Sequence, residues 1–483
     1  MTAIGNRIRT LPERHGRTTL ILLTLVLLLG FGLRAYRVVE PLPTPGDDAH
    51  AYYALSKSLY EEGSYGGPAF RDASDWSPGA PLLYAASFYA TAGAREGTAR
   101  IVELLLGLAA IVAAYLLGRR LNCRPAGLIA AFGVAVYPPF IHSTGALYSE
   151  PPAIFTLPAA VLAFLWASDA AGPADSARGS CRGGRGALRA GHGPSSTPLP
   201  PRHPRVRWLV AGLLFGATAM VRPEYLLVGM AFAALAAIFV AQRQGLKPGL
   251  AAGGLLAVGL LVPIVPWTIH NQIVLDRTVP ISTGGGKALY VGTFLPADGE
   301  YQRVKAMLVE RYRHRDLPPH SAALERVDPT PLFDRVAARY PDLPRDSALG
   351  NIGKQNFSMY FGEDPFGYLA MTVRKVWRMW SAGIGEAMES SAGGVIQVLL
   401  VLLGLAGLAL LGLRRRWWDL VAMATPIVLV TAVGAASLAA PRRNEILMTL
   451  IFPLVGVALA RAGAAISSSG SWWSPRQASS PQS

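Results

Sequence analysis

The stretch Pro81-Leu-Leu-Tyr-Ala-Ala-Ser-Phe-Tyr-Ala-Thr-Ala92 is apolar, yet it is short and carries Tyr84, Ser87 and Tyr89. A helix that crosses a bilayer needs about 20 mostly apolar residues, so this one reads as a re-entrant or interfacial helix. Whether it crosses decides on which side every later loop lies, and the basic residues supply the test. If it does not cross, one side receives Arg7, Arg9, Arg14 and Arg17, then Arg119, Arg120 and Arg124, the arginines from Arg178 to Arg207, and the run 414–416. The short turns on the other side hold only Arg222, Arg442 and Arg443. Basic loops gather on the cytoplasmic side of membrane proteins, so the non-crossing reading is the consistent one. A crossing here would move every later basic loop outside.

Ten longer apolar stretches flank this segment: 19–36, 101–117, 127–144, 152–168, 208–221, 225–241, 250–269, 393–413, 420–439 and 446–460. The first runs on to Tyr36 with no small-residue cleavage site after it, so it is expected to be a retained span rather than a signal peptide. The expected fold is therefore an all-α polytopic membrane protein. It has about ten transmembrane helices plus the re-entrant or interfacial helix, and both termini in the cytoplasm. Residues 1–269 form an N-terminal transmembrane catalytic module with a first outer loop at 37–100. Its segment 170–204, rich in Gly, Pro, Ser and Arg, buries too little apolar surface to order itself and is expected to be a disordered cytoplasmic linker. Residues 270–392 form an extracytoplasmic insert, helical or mixed α/β, and 393–483 hold the last helices and a cytoplasmic tail.

Composition agrees with that outline. Of 483 residues, 51% are hydrophobic and 16% charged, against about 25% charged in soluble proteins, and the mean hydropathy is +0.32. These values exclude an ordinary soluble enzyme and a disordered chain. The net charge of +15 is accounted for as a topology signal and implies no nucleic-acid partner. Cys123 and Cys181 cannot form a disulfide framework and lack metal-ligand spacing.

Chemistry-bearing residues gather in the outer turns. Pro45-Gly46 breaks the chain leaving the first span, and Asp47-Asp48 follow at the start of an amphipathic helix marked by Tyr52, Leu55, Leu59 and Tyr60. Either aspartate can cap that helix. Two adjacent carboxylates at the bilayer boundary also suit general-base work. Asp48 and His50 are spaced to share a divalent cation, with a surface histidine as the plainer reading. Tyr148-Ser-Glu-Pro-Pro152 ends the third span, with His142 two turns before it, and Glu150 either complements the next helix dipole or serves the site. Val221-Arg-Pro-Glu-Tyr225 offers an Arg222–Glu224 ion pair or a ligand contact. Pro441-Arg-Arg-Asn-Glu445 sets Arg442 and Arg443 at the outer surface against the charge rule, fit to clamp a phosphate or to reach lipid head groups. Gly284-Gly-Gly-Lys287 is no Walker A loop, and there is no dinucleotide fingerprint, nucleophile elbow or His-Glu-x-x-His helix. Trp377, Trp380, Trp417 and Trp418 read as interface anchors.

In their order, these pieces resemble the membrane glycosyltransferases of the C superfamily. The nearest pattern is the family 39 group of protein O-mannosyltransferases and lipid A aminoarabinose transferases. The resemblance rests on Asp47-Asp48 with Tyr52 and Leu55, Ser77-Pro-Gly-Ala-Pro-Leu-Leu-Tyr84, Ser149-Glu-Pro151 and Arg222-Pro-Glu224. It continues with Pro266-Trp-Thr-Ile-His-Asn271, Val279-Pro-Ile-Ser-Thr283, Leu289-Tyr-Val-Gly292 and Arg442-Arg443. Many relatives carry Asp-Glu where this chain has Asp-Asp, and a Lys before the helix proline where it has Ser77.

The resemblance implies an inverting glycosyltransferase, a hexosyl- or pentosyltransferase of the cell envelope. It would move a monosaccharide from a polyprenyl-phosphate donor to a hydroxyl acceptor on protein, lipid or glycan. The reaction would run at the outer face of a bacterial plasma membrane. It implies Asp48 as base with Asp47 in reserve, Glu150 orienting the acceptor or assisting the base, and Arg442, Arg443 and Arg222 on the leaving phosphate. Glu224, Tyr52 and His142 complete the substrate-binding set. No cofactor is implied beyond the divalent cation already noted. The rival classes are a lipid-linked-oligosaccharide transporter and an oligosaccharide polymerase or ligase.

Overall fold

The computed structural model describes residues 2–40, 48–66, 73–170 and 204–469. Asp47 and most of the expected 170–204 linker lie outside the described residues. The helices, in order, are α1 (Thr2–Val39), α2 (Asp48–Glu61), α3 (Gly79–Thr91), α4 (Glu96–Leu121), α5 (Arg124–Val136), α6 (Pro138–Ser143), α7 (Glu150–Ala170), α8 (Pro204–Val221), α9 (Tyr225–Gln244) and α10 (Leu246–Leu275). They continue with α11 (Gly285–Thr293), α12 (Tyr301–Arg313), α13 (Ala322–Glu325), α14 (Thr330–Ala337), α15 (Arg345–Glu363), α16 (Pro365–Ser381), α17 (Glu386–Glu389), α18 (Ser391–Leu413), α19 (Trp417–Ala436) and α20 (Pro441–Ser469). No strand occurs among the described residues, so the insert takes the helical form of the two expected.

Among the described residues, eight helices are long and apolar enough to cross a membrane: α1, α4, α7, α9, α10, α18, α19 and α20. The chain is thus a polytopic all-α membrane protein. The other two expected spans differ from an ideal helix for local reasons. The stretch 127–144 is split into α5 and α6 at Tyr137, because Pro138 and Pro139 carry no N–H for a continuous ladder. The carbonyls orphaned at the end of α5 are met by Arg34 of α1. Its buried guanidinium donates to Val134 and Ala135, each at 2.9 Å, which suits a helix C-terminus. Helix α8 starts with Arg205 and Arg207 and is therefore less apolar, but it runs antiparallel to α7 over its whole length. Arg207 lies over the Trp166 ring, 4.1 Å from its centroid, at one end, and Arg222, just past α8, pairs with Glu150 at the other. Helix α8 and the α5–α6 pair pack alongside these helices.

Helix α3 covers the decisive stretch and has 13 residues. At 1.5 Å per residue it spans about 20 Å, short of the roughly 30 Å hydrocarbon core. It packs on α2, α4 and α8 at one end of the bundle. Gly79 opens it because a Cβ there would sit 2.7 Å from the Val221 backbone nitrogen. Tyr84 is fully buried and donates to Glu103 at 2.5 Å and to the Tyr148 carbonyl at 2.7 Å. Glu103 in turn accepts from the Gly145 and Leu147 N–H groups at 2.7 and 3.2 Å. This buried carboxylate is spent on holding the turn that leads to Glu150.

The insert has its own core, built on Val304, Leu308, Leu324, Phe333, Val336, Leu349 and Ile352 from α12 to α15. It is fastened to the first outer loop. The Thr283 hydroxyl donates to Asp75 at 2.7 Å, its N–H to the Ser74 carbonyl at 2.8 Å, and Arg345 pairs with Asp75. Gly292 of α11 lies against the α19–α20 turn, where a Cβ would fall 2.1 Å from the Ser437 carbonyl carbon. The ammonium of Lys375, fully buried, donates to the Gly292, Ala435 and Ser437 carbonyls at 2.7, 2.9 and 2.9 Å.

Candidate active site

Four of the predicted residues converge at the end of the bundle that carries α2 and α3. Glu150, the first residue of α7, is 1% exposed. The two prolines after it cannot supply N–H groups, and the helix start tolerates that. A carboxylate so buried must be paired, and two guanidinium groups do this. Arg442 Nε donates to Glu150 Oε1 at 2.7 Å, and Arg222 pairs with the same oxygen. Arg442 also reaches Asp48 at the start of α2 and covers the Tyr148 ring at 4.9 Å. One planar fork thus joins a buried carboxylate to a more open one. The Asp48 side chain is 34% exposed, so it is the acid of the pair that a second reactant can reach.

Tyr52, one turn into α2, packs edge-on against Trp76 at 5.2 Å. Burial pushes its phenol up to about 12, with Arg222 opposing and Asp48 adding, so it remains a proton donor at neutral pH. Arg222 lies between α8 and α9. Burial alone would lower its guanidinium, but Glu150 and Glu224 beside it outweigh that and raise it. The expected Arg222–Glu224 pair is replaced: Arg222 turns to Glu150, and Glu224 faces Arg443 at 3.9 Å. The reason is depth, because the fully buried Glu150 needs a second cation more than the loop acid does.

Arg443 donates to Ser437 at 3.2 Å. His142 sits at the end of α6 against Gly385, outside the ion pairs of Glu150. His50 has a buried ring nitrogen, Nδ1, with no hydrogen-bond partner among the described residues. No group of three or more His, Cys, Asp or Glu side chains able to hold a metal occurs among the described residues.

Two further residues join the site without having been singled out. Glu445, one turn along α20 from Arg442, is 2% exposed and lies beside Glu150, Ser143, Arg442 and Arg222. Its i+3 spacing to Arg442 was the available signal. Tyr301, the first residue of α12, lies near enough for the charge of Asp48 to act on it. Burial raises its phenol first, and Asp48 and Asp328 raise it further. No local pattern marks that electrostatic influence, which joins positions far apart in the chain.

No family model matches the chain, and no curated protein matches it. Among solved structures, the archaeal oligosaccharyltransferase AglB from Archaeoglobus fulgidus, in complex with an inhibitory peptide and a dolichol-phosphate, aligns with a TM-score of 0.48 at 15% identity. That alignment covers 96% of this chain and 52% of that one. The Archaeoglobus fulgidus oligosaccharyltransferase in the apo form aligns at 0.44 and 14%, over 96% and 53%. The same enzyme with Zn and sulfate aligns at 0.43 and 13%, over 94% and 51%. The chain spans about half the length of these structures.

Proposed function

We propose that the protein is an inverting glycosyltransferase. It transfers one sugar from a polyprenyl-phosphate donor to a hydroxyl acceptor at the outer face of the membrane. The observation that carries this reading is the convergence of Asp48, Glu150, Arg222 and Arg442 at one end of a membrane bundle, with Asp48 the accessible acid. The motif order that resembles the C-superfamily transferases adds to it. A lipid donor fits the setting, since its tail stays in the bilayer while its phosphate reaches the boundary where the arginines lie.

In the reaction, the donor phosphate competes with Asp48 for Arg442 and leaves the carboxylate free. Asp48 takes the acceptor hydroxyl proton, and the oxygen forms a bond to the anomeric carbon from the face opposite the phosphate. The sugar–phosphate C–O bond breaks, and its electron pair leaves with polyprenyl phosphate. Arg442 and Arg222 meet that developing charge in a site already arranged for it. Glu150 is a positioning residue that holds both guanidinium groups, and Tyr52 and Tyr301 line the approach to Asp48. Asp47 remains the reserve base. Arg443, Glu224 and His142 are assigned to the outer rim. A divalent cation at Asp48 and His50 is a further reading, tested by chelation.

The experiment is an assay of the purified chain against a panel of polyprenyl-phosphate sugars and hydroxyl acceptors. Asp48→Asn is expected to cut transfer about 10²- to 10⁴-fold with the melting temperature nearly unchanged. If Asp48→Asn and Asp47→Asn each keep full activity, the base assignment fails. Sidedness is checked by reporters: one fused near Gly184 should read cytoplasmic and one near Gly350 outside.

A further inference from the structure

The opposite end of the same helices carries a cavity of about 1060 Å³ between α4 and α7, lined also by Val210 of α8. Its walls are apolar, with Ala109, Val112, Leu116, Phe155, Leu162 and Trp166 among them. Its mouth is cationic, formed by Arg119, Arg120 and Arg124. Along α4 the wall runs from Ala109 to Arg120, which at 1.5 Å per residue is about 16 Å. That is close to half of the roughly 30 Å hydrocarbon core, the depth of one leaflet.

Among the described residues the charges at the mouth do not balance. Arg120 is neutralised by Asp169, whose carboxylate accepts from it at 2.6 and 3.0 Å, and it also lies 3.4 Å from Asp419. Arg119 and Arg124 have no such partner among the described residues. Two guanidinium groups with no carboxylate partner among the described residues therefore stand over a slot of acyl-chain depth. Zwitterionic lipid fills such a slot but leaves them unmatched. Basic pockets between transmembrane helices select anionic head groups by this arrangement.

We infer that this groove holds one anionic phospholipid of the leaflet opposite the acid–arginine site. An acyl chain lies along Ala109 to Leu116, and the phosphate is held by Arg119 and Arg124. The lipid bridges α4 and α7, the two helices that carry Glu103 and Glu150 at their other ends. The inference does not rest on the transferase reaction, and an inactive protein that retains the lipid would leave it standing.

The test is native mass spectrometry of the full-length protein, offered equimolar phosphatidylglycerol and phosphatidylethanolamine with identical chains. The wild type is expected to retain one phosphatidylglycerol in preference, on the order of tenfold. Arg119→Gln with Arg124→Gln should bring the two lipids to parity. Ala159→Trp, which fills the slot and leaves the arginines in place, should reduce retention of both. Thermal melting of each variant controls for folding. Equal retention of the two lipids by the wild type overturns the inference. So does a preference that survives both the arginine pair and the tryptophan.

Discussion

The two ends of α7 carry opposite solutions to the same problem. At Glu150 the protein buries carboxylates and brings arginines from distant segments to meet them, so the charges nearly close on themselves. At the other end Asp169 and Asp419 both pair with Arg120, and Arg119 and Arg124, beside an apolar slot, have no carboxylate partner among the described residues. Buried ions are costly unless paired, so the first end is built around internal pairing, with Asp48 as the accessible acid. The second end lies where water and head groups can carry the surplus. The difference teaches that the count of charges at a membrane boundary says less than their depth and pairing.

The comparison can be broken most sharply at Arg442. Arg442→Met leaves Glu150 with one cation fewer and frees Asp48, and it is expected to cost roughly 3 kcal/mol or more as well as transfer activity. Arg119→Gln, at the surplus end, should leave the melting temperature within error. Melting of both variants in detergent checks the contrast, and equal losses would dissolve it. A smaller effect is expected from Glu103→Gln, which weakens the hold on the Gly145–Leu147 turn by about 1–2 kcal/mol. Its signature is faster hydrogen exchange at Gly145 and Leu147, with no change around Asp169. The smallest effect belongs to Asp75→Asn at the fastening of the insert. Its pair with Arg345 is about a fifth exposed on each side, and such pairs contribute under about 1 kcal/mol. Exchange over residues 285–293 should rise while the melting temperature barely moves.

Much of the candidate site was legible from local signals. Asp48 stood out because a helix break precedes it, Glu150 because prolines follow it, and Arg442 because it offends the charge rule of its side. Their partners were not legible. The Arg222–Glu224 pair was the natural local expectation, and Glu150 takes Arg222 instead because it is the deeper acid. Glu103 accepts from two backbone N–H groups and Tyr84, partners that no local pattern announces. Tyr301 of the insert feels the charge of Asp48 across a distance in the chain that no periodicity spans.

Hydropathy and arginine placement alone determined that the chain is a bundle of spanning helices, with 81–92 lying short of a crossing. Both follow from the cost of apolar surface in water and of charge in lipid, which each residue meets wherever its neighbours are. Which carboxylate meets which guanidinium was decided only by tertiary structure. Pairing depends on relative depth and on the approach of segments hundreds of residues apart, and those are properties of the packed bundle rather than of any stretch within it.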